Sequence, residues 1–298
     1  MFTLQSDVPL HGQSTPTRSA QLLDRLVTNF ANDYRFATFH ALPLSLASRL
    51  GYLPRKYAAI LKNRREVQFL GKPFRYDNRL MPALLQAYPS EIATLDRHVR
   101  FATATRVMDV GANVGQFGFV LKSFFPHLEI VSFEPNPAAY DCLRVNATQH
   151  GGWRAFPFGL ASRSQTSDFF AVDGKSAQGS VFPENAAVNL LSGEPTRLRV
   201  KLEHLSDEFL STHAIPSDYD FVKIDVEGFE RAVLASLDRI RWRYLYLELS
   251  VTRTGSTPLD EVQALIARTT GKQPRVVFQQ DIGPETSHID VILASESI

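Results

Sequence analysis

The sequence predicts an α/β protein built around a Rossmann-like, mostly parallel sheet. Residues 107–110 form a short apolar run, which is followed by a glycine-containing turn and by apolar residues at helical spacing. A second apolar run, 130–133, comes next, so the segment has the strand–turn–helix–strand order of a βαβ unit. With 298 residues, of which 44% are hydrophobic, the chain is long enough for one large α/β domain with an extension, or for two domains.

The turn inside this unit indicates which kind of nucleotide it suits. It runs from Asp109 through Gly111 and Asn113 to Gly115, in the pattern D-x-G-x-N-x-G. A dinucleotide turn needs G-x-G-x-x-G, but Asn113 and Gln116 occupy the second and third glycine positions here. An acid before the glycines repels a pyrophosphate and attracts a cation. S-adenosylmethionine fits this pattern, because it carries a sulfonium and an α-ammonium and no phosphate.

Two acids and one glycine of this unit have predicted roles toward that cofactor. Asp109 is expected to meet the ammonium directly or through water, and Gly111 lets the backbone pass close to the ligand. Glu134, which ends the second apolar run 19 residues after Gly115, is expected to accept both ribose hydroxyls. The alternative is that Asp109 only caps a helix and that Glu134 is an exposed charge at a strand end.

The sequence resembles the FkbM-type family of S-adenosylmethionine-dependent methyltransferases in three blocks. They are 109–115, then 133–137 with Leu143 and Asn146 after it, and 221–230, which is the most specific to the family. The resemblance covers about residues 85–298. It implies the Rossmann-like fold of class I methyltransferases, with a seven-stranded, mostly parallel sheet whose last strand is antiparallel. It also implies O-methylation of a hydroxyl on a sugar, a glycan or a related natural product.

The other elements follow from apolar runs and from alternation. Helices are predicted over 89–99 and 138–149. Strands are predicted over 153–158, 166–172, 197–205, 220–225, 244–249, 276–279 and 289–294, of which the last two are expected to form the antiparallel pair that ends the sheet. Gly159 and Leu160 follow the first of these strands, where the adenine is expected to lie, with Leu160 as an apolar wall.

The segment 173–195 is rich in glycine, serine and asparagine and is long for a connection inside a compact domain. Such segments are usually functional or mobile. We predict that it forms a lid over the methyl acceptor, with Ser180 as a contact. The alternative is a disordered segment without a function.

The candidate catalytic residues lie at the end of the predicted strand 220–225. Lys223, Asp225 and Glu227 alternate there, which predicts that their side chains share one face near the switch point where ligands bind. Asp225 is the first candidate for a general base that takes the hydroxyl proton, and Glu227 is the second. Lys223 between the two acids would tune the base. The alternative is that these charges only position the loop.

Further acceptor contacts are predicted at Glu248 and His288. Glu91, in the first turn of the helix 89–99 that lies over the cofactor in such folds, is a weaker site candidate, and the alternative is a carboxylate that only suits the helix start. His288 together with Asp290 is a further candidate base. Carboxylates of this region could supply oxygen ligands to Mg²⁺, namely Asp225, Glu227, Glu248 and Asp290. No spacing requires a metal, so none is predicted and metal dependence stays open.

The chain is expected to divide into a flexible tail (1–18), a mainly helical region with a hairpin (19–84) and the methyltransferase domain (85–298). Apolar residues at helical spacing in the second part imply a packing face, either for the core domain or for a homodimer. Residues 1–100 hold 14 lysines and arginines against 7 acids. This excess could receive an anionic or carrier-linked acceptor or a membrane surface, or it could be a solvated helix face.

Composition also bounds the compartment and the partners. The single cysteine, Cys142, provides neither a disulfide framework nor a thiolate metal cluster. No run of 18 apolar residues exists, and the first twelve residues lack the features of a signal peptide. We therefore expect a cytoplasmic protein with a small-molecule acceptor, without a transmembrane segment and without a nucleic-acid partner.

Two other functions compete with methyl transfer. The first is a nicotinamide-dependent oxidoreductase, against which the failed glycine pattern and the acid before the turn both argue. The second is a non-catalytic module that keeps the cofactor fold while its N-terminal part recruits a partner, against which the intact acids argue.

Overall fold

A computed structural model gives the fold of most of the chain. It describes residues 65–77, 85, 87–171, 179–187, 195–250, 255, 257–271, 273–281 and 288–295, together with the single positions 54 and 58. The predicted tail (1–18), most of the predicted helical region (19–84) and part of the predicted lid (173–195) lie outside these residues.

The described elements alternate between strands and helices after an initial hairpin. The strands are β1 (Glu66–Phe69), β2 (Lys72–Arg75), β3 (Arg106–Val110), β4 (Glu129–Phe133), β5 (Trp153–Phe156), β6 (Gly159–Leu160), β7 (Gln165–Ala171), β8 (Thr196–Glu203), β9 (Asp218–Ile224), β10 (Arg241–Ser250), β11 (Arg275–Asp281) and β12 (His288–Ala294). The helices are α1 (Tyr88–Val99), α2 (Gln116–Phe124), α3 (Pro137–Ala147), α4 (Pro183–Ala187), α5 (Asp207–Thr212), α6 (Glu230–Leu234) and α7 (Leu259–Thr270). None of these described helices is long and apolar enough to cross a membrane.

The main sheet confirms the predicted fold class. Within the described residues it has seven strands in the order β11-β12-β10-β9-β3-β4-β5. Neighbours from β10 to β5 are parallel, whereas β12, the last strand in sequence, is antiparallel to β10 and to β11. The chain order reverses between β3 and β9, so the carboxyl ends of these two strands flank a switch point where α/β sheets bind ligands.

The two added strands do not extend the main sheet. β7 and β8 pair antiparallel and form a separate three-stranded sheet with β6, in the order β6-β8-β7. The predicted strand 153–158 ends at Phe156, and Gly159 and Leu160 already belong to the smaller sheet. The smaller sheet therefore begins at the predicted adenine position.

The hairpin β1–β2 is fixed to the loop that follows β3. Its turn residues Leu70 and Gly71 both have positive φ (49° and 80°), as two-residue hairpin turns require. The Asn146 side chain accepts a hydrogen bond from the Arg75 backbone N–H (2.8 Å) and donates to the carbonyls of Arg75 (2.8 Å) and Val114 (2.7 Å). This one buried amide thus joins the hairpin, α3 and the glycine turn.

Each face of the main sheet has its own core. Helices α1, α2 and α3 cover one face, and α5, α6 and α7 cover the other. Phe221 and Tyr246 pack in the first core, while Val222 packs in the second. Because strand side chains alternate, Lys223 and Glu248 follow Phe221 and Tyr246 onto the face that α1 covers.

Candidate active site

A pocket of about 1160 Å³, part of it open to solvent, lies at the carboxyl ends of β3, β4, β9 and β10. The start of α1 and the small sheet complete its walls. Nine of the predicted site residues line it: Glu91, Gly111, Asn113, Glu134, Gly159, Leu160, Asp225, Glu227 and Glu248. The predicted cofactor and catalytic positions thus converge on one pocket.

The glycine turn packs directly against the end of β9. Gly111 has a φ of 81°, and a Cβ built on it would lie 2.0 Å from the Asp225 carbonyl oxygen. The backbone N–H groups of Gly111 and Ala112 both donate to the Phe133 carbonyl, each at 3.0 Å. The Asp225 N–H in turn donates to the Val110 carbonyl at 3.1 Å. Only glycine fits at position 111, because any side chain would push the two loops apart.

Glu134 anchors the turn and faces the pocket. Its carboxylate is buried, and its two oxygens accept backbone hydrogen bonds from Asn113 and Asn136, each at 2.8 Å. Burial raises the pKa of Glu134 to about 7, which the two N–H donors only partly offset. Each carboxylate oxygen can accept a second hydrogen bond, so capacity for two ribose hydroxyls remains. The alternative of an exposed strand-end charge is wrong.

Gly115 lies on the side of the turn that faces α3 and β5, and it does not line the pocket. It has a φ of 87°, and a Cβ there would lie 2.7 Å from Leu143 Cδ1 and 3.1 Å from the Trp153 ring. Gly115 therefore lets α3 pack closely against the turn, and its direct contact with a cofactor stays a prediction.

Asp109 is fully buried in β3 and does not line the pocket. It lies opposite Lys223 on the neighbouring strand β9, and neither of its carboxylate oxygens has a hydrogen-bond partner among the described residues. Burial raises the pKa of Asp109 to about 6, although Lys223 acts in the opposite direction. Its predicted contact with an ammonium, direct or through water, stays a prediction.

Lys223 and Asp225 form a charge pair in which Lys223 is buried and Asp225 lines the pocket. Lys223 Nζ donates to Asp225 Oδ2 at 2.7 Å, and the side chains are 4% and 24% exposed, respectively. Burial acts to lower the pKa of Lys223, but Asp225 and Asp109 more than reverse this, so the pKa is raised. A permanently charged lysine therefore fixes the orientation of the Asp225 carboxylate.

The prediction that Glu227 shares a strand face with Lys223 and Asp225 is wrong. β9 ends at Ile224, and Glu227 has a left-handed backbone with a φ of 54°, so strand alternation does not reach it. Its carbonyl oxygen accepts hydrogen bonds from Ser180 Oγ (3.0 Å) and Asn185 Nδ2 (2.9 Å). Glu227 still lines the pocket, but a loop clamped by two side chains positions it.

Ser180 holds the Glu227 loop, and its predicted contact with the acceptor stays a prediction. Its side chain is buried and its hydroxyl faces the Glu227 carbonyl, while its neighbours Gly179 and Val181 line the pocket. The described part of the predicted lid thus does wall the pocket. Asn185 donates to the same carbonyl as Ser180. The sequence did not predict this contact, because the segment around Asn185 has no clear hydrophobic period.

A group of acids lies at the β10 end of the pocket. Glu91 and Glu248 line it, and Glu248 pairs in register with Asp290 across β10 and β12. Burial raises the pKa of Glu91 to about 8, although Lys223 lowers it. Burial and the charge of Glu248 raise the pKa of Asp290 to about 7. Glu91, the weaker site candidate, thus lies in the pocket wall.

His288 begins β12 opposite Ser250, and its side chain lies outside the described residues. Its predicted acceptor contact stays a prediction. In the described part of the chain, no group of three or more His, Cys, Asp or Glu residues could hold a metal ion.

Gln116 and Tyr88 line the pocket, but the sequence did not predict either of them as a site residue. Gln116 Nε2 donates to the Tyr88 hydroxyl at 2.9 Å, and both residues line the pocket. Gln116 occupies the third glycine position of the dinucleotide pattern that fails here, and this position could have indicated that its side chain faces the ligand. Tyr88 lies just before the predicted start of α1, and no sequence pattern indicated that it faces the pocket.

Comparisons with known proteins agree with this geometry. The Methyltransferase FkbM domain matches residues 109–294, more than half of the chain. Methyltransferase sdnD of Sordaria araneosa is 28% identical over 185 residues, which cover 54% of this chain and 71% of that protein. Methyltransferase 1 of Beauveria bassiana (strain ARSEF 2860) is 31% identical over 150 residues, which cover 46% of this chain and 59% of that protein.

Solved structures show a more distant likeness. Magnesium protoporphyrin IX methyltransferase of Synechocystis PCC 6803, with bound S-adenosylmethionine, has a TM-score of 0.42 at 12% identity over 90% of this chain and 95% of its own. Fibrillarin of Aeropyrum pernix, with the same cofactor, has a TM-score of 0.41 at 13% identity over 77% and 82%.

The family match and the pocket together fix the cofactor as S-adenosylmethionine. Gly111 and Glu134, both predicted to contact the cofactor, line the pocket. The chain belongs to the FkbM methyltransferase domain family and is an S-adenosylmethionine-dependent methyltransferase.

Proposed function

We propose that this enzyme methylates a hydroxyl oxygen of a sugar, a glycan or a related natural product. The observation that carries the proposal is Asp225, a carboxylate at the pocket wall whose orientation is held by the buried Lys223. When bound, S-adenosylmethionine supplies a methyl group activated by its sulfonium. Asp225 lies between the predicted cofactor turn and Glu248 of β10, so an acceptor hydroxyl placed there meets a proton acceptor.

The surrounding residues assign the remaining tasks. Lys223 orients Asp225 through its hydrogen bond of 2.7 Å. The charge of Lys223 is itself favoured by Asp225 and Asp109, which raise its pKa against the effect of burial. Glu227 and Glu248 can accept hydrogen bonds from further hydroxyls of the acceptor. Phe229 and Leu160 line the pocket as apolar walls, which position the ligands and exclude water.

Turnover with defined acceptors tests this function. The enzyme is incubated with S-adenosylmethionine and a panel of polyhydroxylated acceptors, and S-adenosylhomocysteine and the methylated product are measured by mass spectrometry. We expect a methoxy signal in the NMR spectrum of the product. Methyl transfer only to nitrogen or carbon would refute the proposal, and tight binding of NADH would favour the oxidoreductase.

Glu134→Ala is expected to weaken binding of S-adenosylmethionine at least about tenfold. The change removes the acceptor of two charge-assisted hydrogen bonds, each of which contributes about 1.5–3 kcal/mol, and frees the N–H groups of Asn113 and Asn136. Calorimetric titration measures the effect. Glu208→Ala, at an exposed position of α5, is the control and should bind normally. Unchanged affinity in Glu134→Ala would rule out the ribose assignment.

Cofactor affinity is also expected to fall with falling pH. Glu134 must be ionised to accept the hydroxyls and attract a cation, and its pKa is about 7 in the free enzyme. About a tenth of it is ionised one pH unit below that value, so affinity should drop several-fold to about tenfold from pH 8 to pH 6. Glu134→Gln should show a flatter profile. An equally steep profile in that variant would assign the titration to another acid.

A further inference from the structure

S-adenosylmethionine brings one negative charge, its α-carboxylate, into a pocket that several acids line. In the described part of the chain, no lysine or arginine lines this pocket. The side chain of Lys223 is only 4% exposed, and its ammonium already donates to Asp225 at 2.7 Å. Recognition of the cofactor carboxylate therefore depends on neutral hydrogen-bond donors.

The backbone of the glycine turn supplies few of these donors. Four of the five N–H groups of residues 111–115 already donate within the protein, namely those of Gly111, Ala112, Asn113 and Gly115. The turn thus comes close to the end of β9, but at most one of its N–H groups is left for a ligand.

Three neutral side chains among the described lining residues carry donors: Tyr88, Asn113 and Gln116. The Asn113 backbone N–H is bound to Glu134, the predicted ribose acceptor, so Asn113 belongs to the ribose side of the pocket. The side-chain amide of Gln116 gives one N–H to the Tyr88 hydroxyl at 2.9 Å. Tyr88 is therefore the strongest candidate for the carboxylate.

The Tyr88 hydroxyl is prepared to donate. A tyrosine oxygen can accept a hydrogen bond while its one proton is donated elsewhere, and Gln116 already occupies the accepting side. Burial above all raises the pKa of Tyr88, so the hydroxyl keeps its proton. The neighbouring acid Glu91 repels a carboxylate only weakly, because burial raises its pKa to about 8 and leaves it mostly protonated at neutral pH.

Tyr88 also lies on the side of the pocket where the amino acid of the cofactor is expected. Glu134 follows β4 and Asp225 follows β9, with β3 between these two strands. The charges of Lys223 and Asp225 both act on the pKa of Tyr88, so its hydroxyl is near the β9 side. A cofactor with its ribose at Glu134 and its sulfur directed toward Asp225 therefore presents its amino acid to the start of α1.

We infer that the Tyr88 hydroxyl donates a hydrogen bond to the α-carboxylate of S-adenosylmethionine and that Gln116 is the positioning residue that holds this hydroxyl. The inference concerns the cofactor, so it applies whichever atom of the acceptor is methylated. A hydrogen bond to a carboxylate is charge-assisted and about twice as strong as one between neutral groups. The competing explanation is that Tyr88 and Gln116 only join the starts of α1 and α2.

Three ligands separate the two explanations. They are S-adenosylhomocysteine, its analogue without the α-carboxylate and its analogue without the α-amine, and each is titrated by calorimetry. The adenosine and the thioether are shared, so differences in affinity report on the two charged groups. In the unchanged enzyme, we expect loss of the carboxylate to weaken binding at least about tenfold.

Tyr88→Phe removes only the hydroxyl. It should weaken binding of the two ligands that carry the carboxylate about tenfold, whereas the affinity for the ligand without it should change less than about twofold. The third ligand thus also verifies that the pocket is folded. Tyr140→Phe is the matched control and should bind all three ligands normally, because its hydroxyl donates to the Ala155 carbonyl (3.4 Å) outside the pocket lining.

Gln116→Leu tests the positioning role. The Tyr88 hydroxyl remains in this variant but is no longer held, so we expect a smaller loss with the same dependence on the carboxylate. Combined with Tyr88→Phe, Gln116→Leu should cost little more, since the two residues act through one hydrogen bond. Fully additive losses would refute the positioning role of Gln116.

Two results would overturn the assignment of Tyr88. An equal loss for all three ligands in Tyr88→Phe would show a structural role, which does not distinguish between them. Full affinity for every ligand would assign the carboxylate to Asn113 or to the backbone at the start of α2. None of these ligands has a methyl group to transfer, so the proposed O-methylation is tested separately by the analysis of the product.

Discussion

Asp225→Asn is expected to lower turnover by about 10²–10⁴ while the affinity for S-adenosylmethionine changes little. The substitution keeps the size of the side chain and an oxygen that can accept from Lys223, but it removes the proton acceptor. The loss should shrink at high pH, where the acceptor hydroxyl needs less help. Steady-state kinetics across pH, combined with calorimetric titration of the cofactor, measures both quantities.

Asp218→Asn is the matched control for this prediction. Asp218 begins the same strand and forms an exposed ion pair with Arg241, far from the pocket lining, so turnover should be unaffected. If Asp225→Asn unfolds the protein or abolishes cofactor binding, Asp225 is structural or a cofactor ligand, and Glu227 or His288 becomes the leading base. Unchanged turnover would mean that the proton leaves to water and that positioning alone drives the reaction.

Gly111→Ala is expected to abolish measurable cofactor binding and to destabilise the fold by more than about 2 kcal/mol. The new Cβ would lie 2.0 Å from the Asp225 carbonyl oxygen, and the φ of 81° is itself unfavourable for alanine. To relieve this clash, the turn and the end of β9 must move apart. That movement would disturb the arrangement that we expect to bind the cofactor and the methyl acceptor. Chemical denaturation and calorimetric titration report the two effects.

Gly271→Ala separates the clash from the backbone strain. Gly271 ends α7 with a similar φ of 72°, and a Cβ there meets nothing within 4 Å. This control should lose only about 1 kcal/mol of stability and bind the cofactor normally. Equal losses in the two variants would show that the close approach to Asp225 is relieved at little cost and does not define the site.

The pocket positions of Gly111, Asn113 and Glu134 could be predicted from the sequence, because they depend on local pattern. The spacing between Gly111 and Glu134 is that of a single βαβ unit, and parallel strands bring their carboxyl ends together. The resemblance to FkbM-type methyltransferases implied the seven-stranded sheet and its antiparallel last strand, which the structure confirms. Asn146, which appeared only as part of a family block, holds the turn through the Val114 carbonyl.

The acceptor half was harder to predict, because it depends on contacts between distant segments. Alternation fails at Glu227, since two side chains from residues 180 and 185 hold its carbonyl and favour a left-handed backbone. The pairing of Gln116 with Tyr88 joins residues 28 positions apart, which no local period reveals. Asp109 is likewise more deeply buried than its place beside a turn suggested.

A crystal structure of the enzyme with S-adenosylhomocysteine tests the central claim most directly. We expect the ribose hydroxyls within about 3 Å of the Glu134 carboxylate, the adenine beside Leu160, and the sulfur directed toward Asp225 and Glu248. A ligand bound outside this pocket, or one whose sulfur points away from Asp225, would contradict the account of how this chain transfers a methyl group.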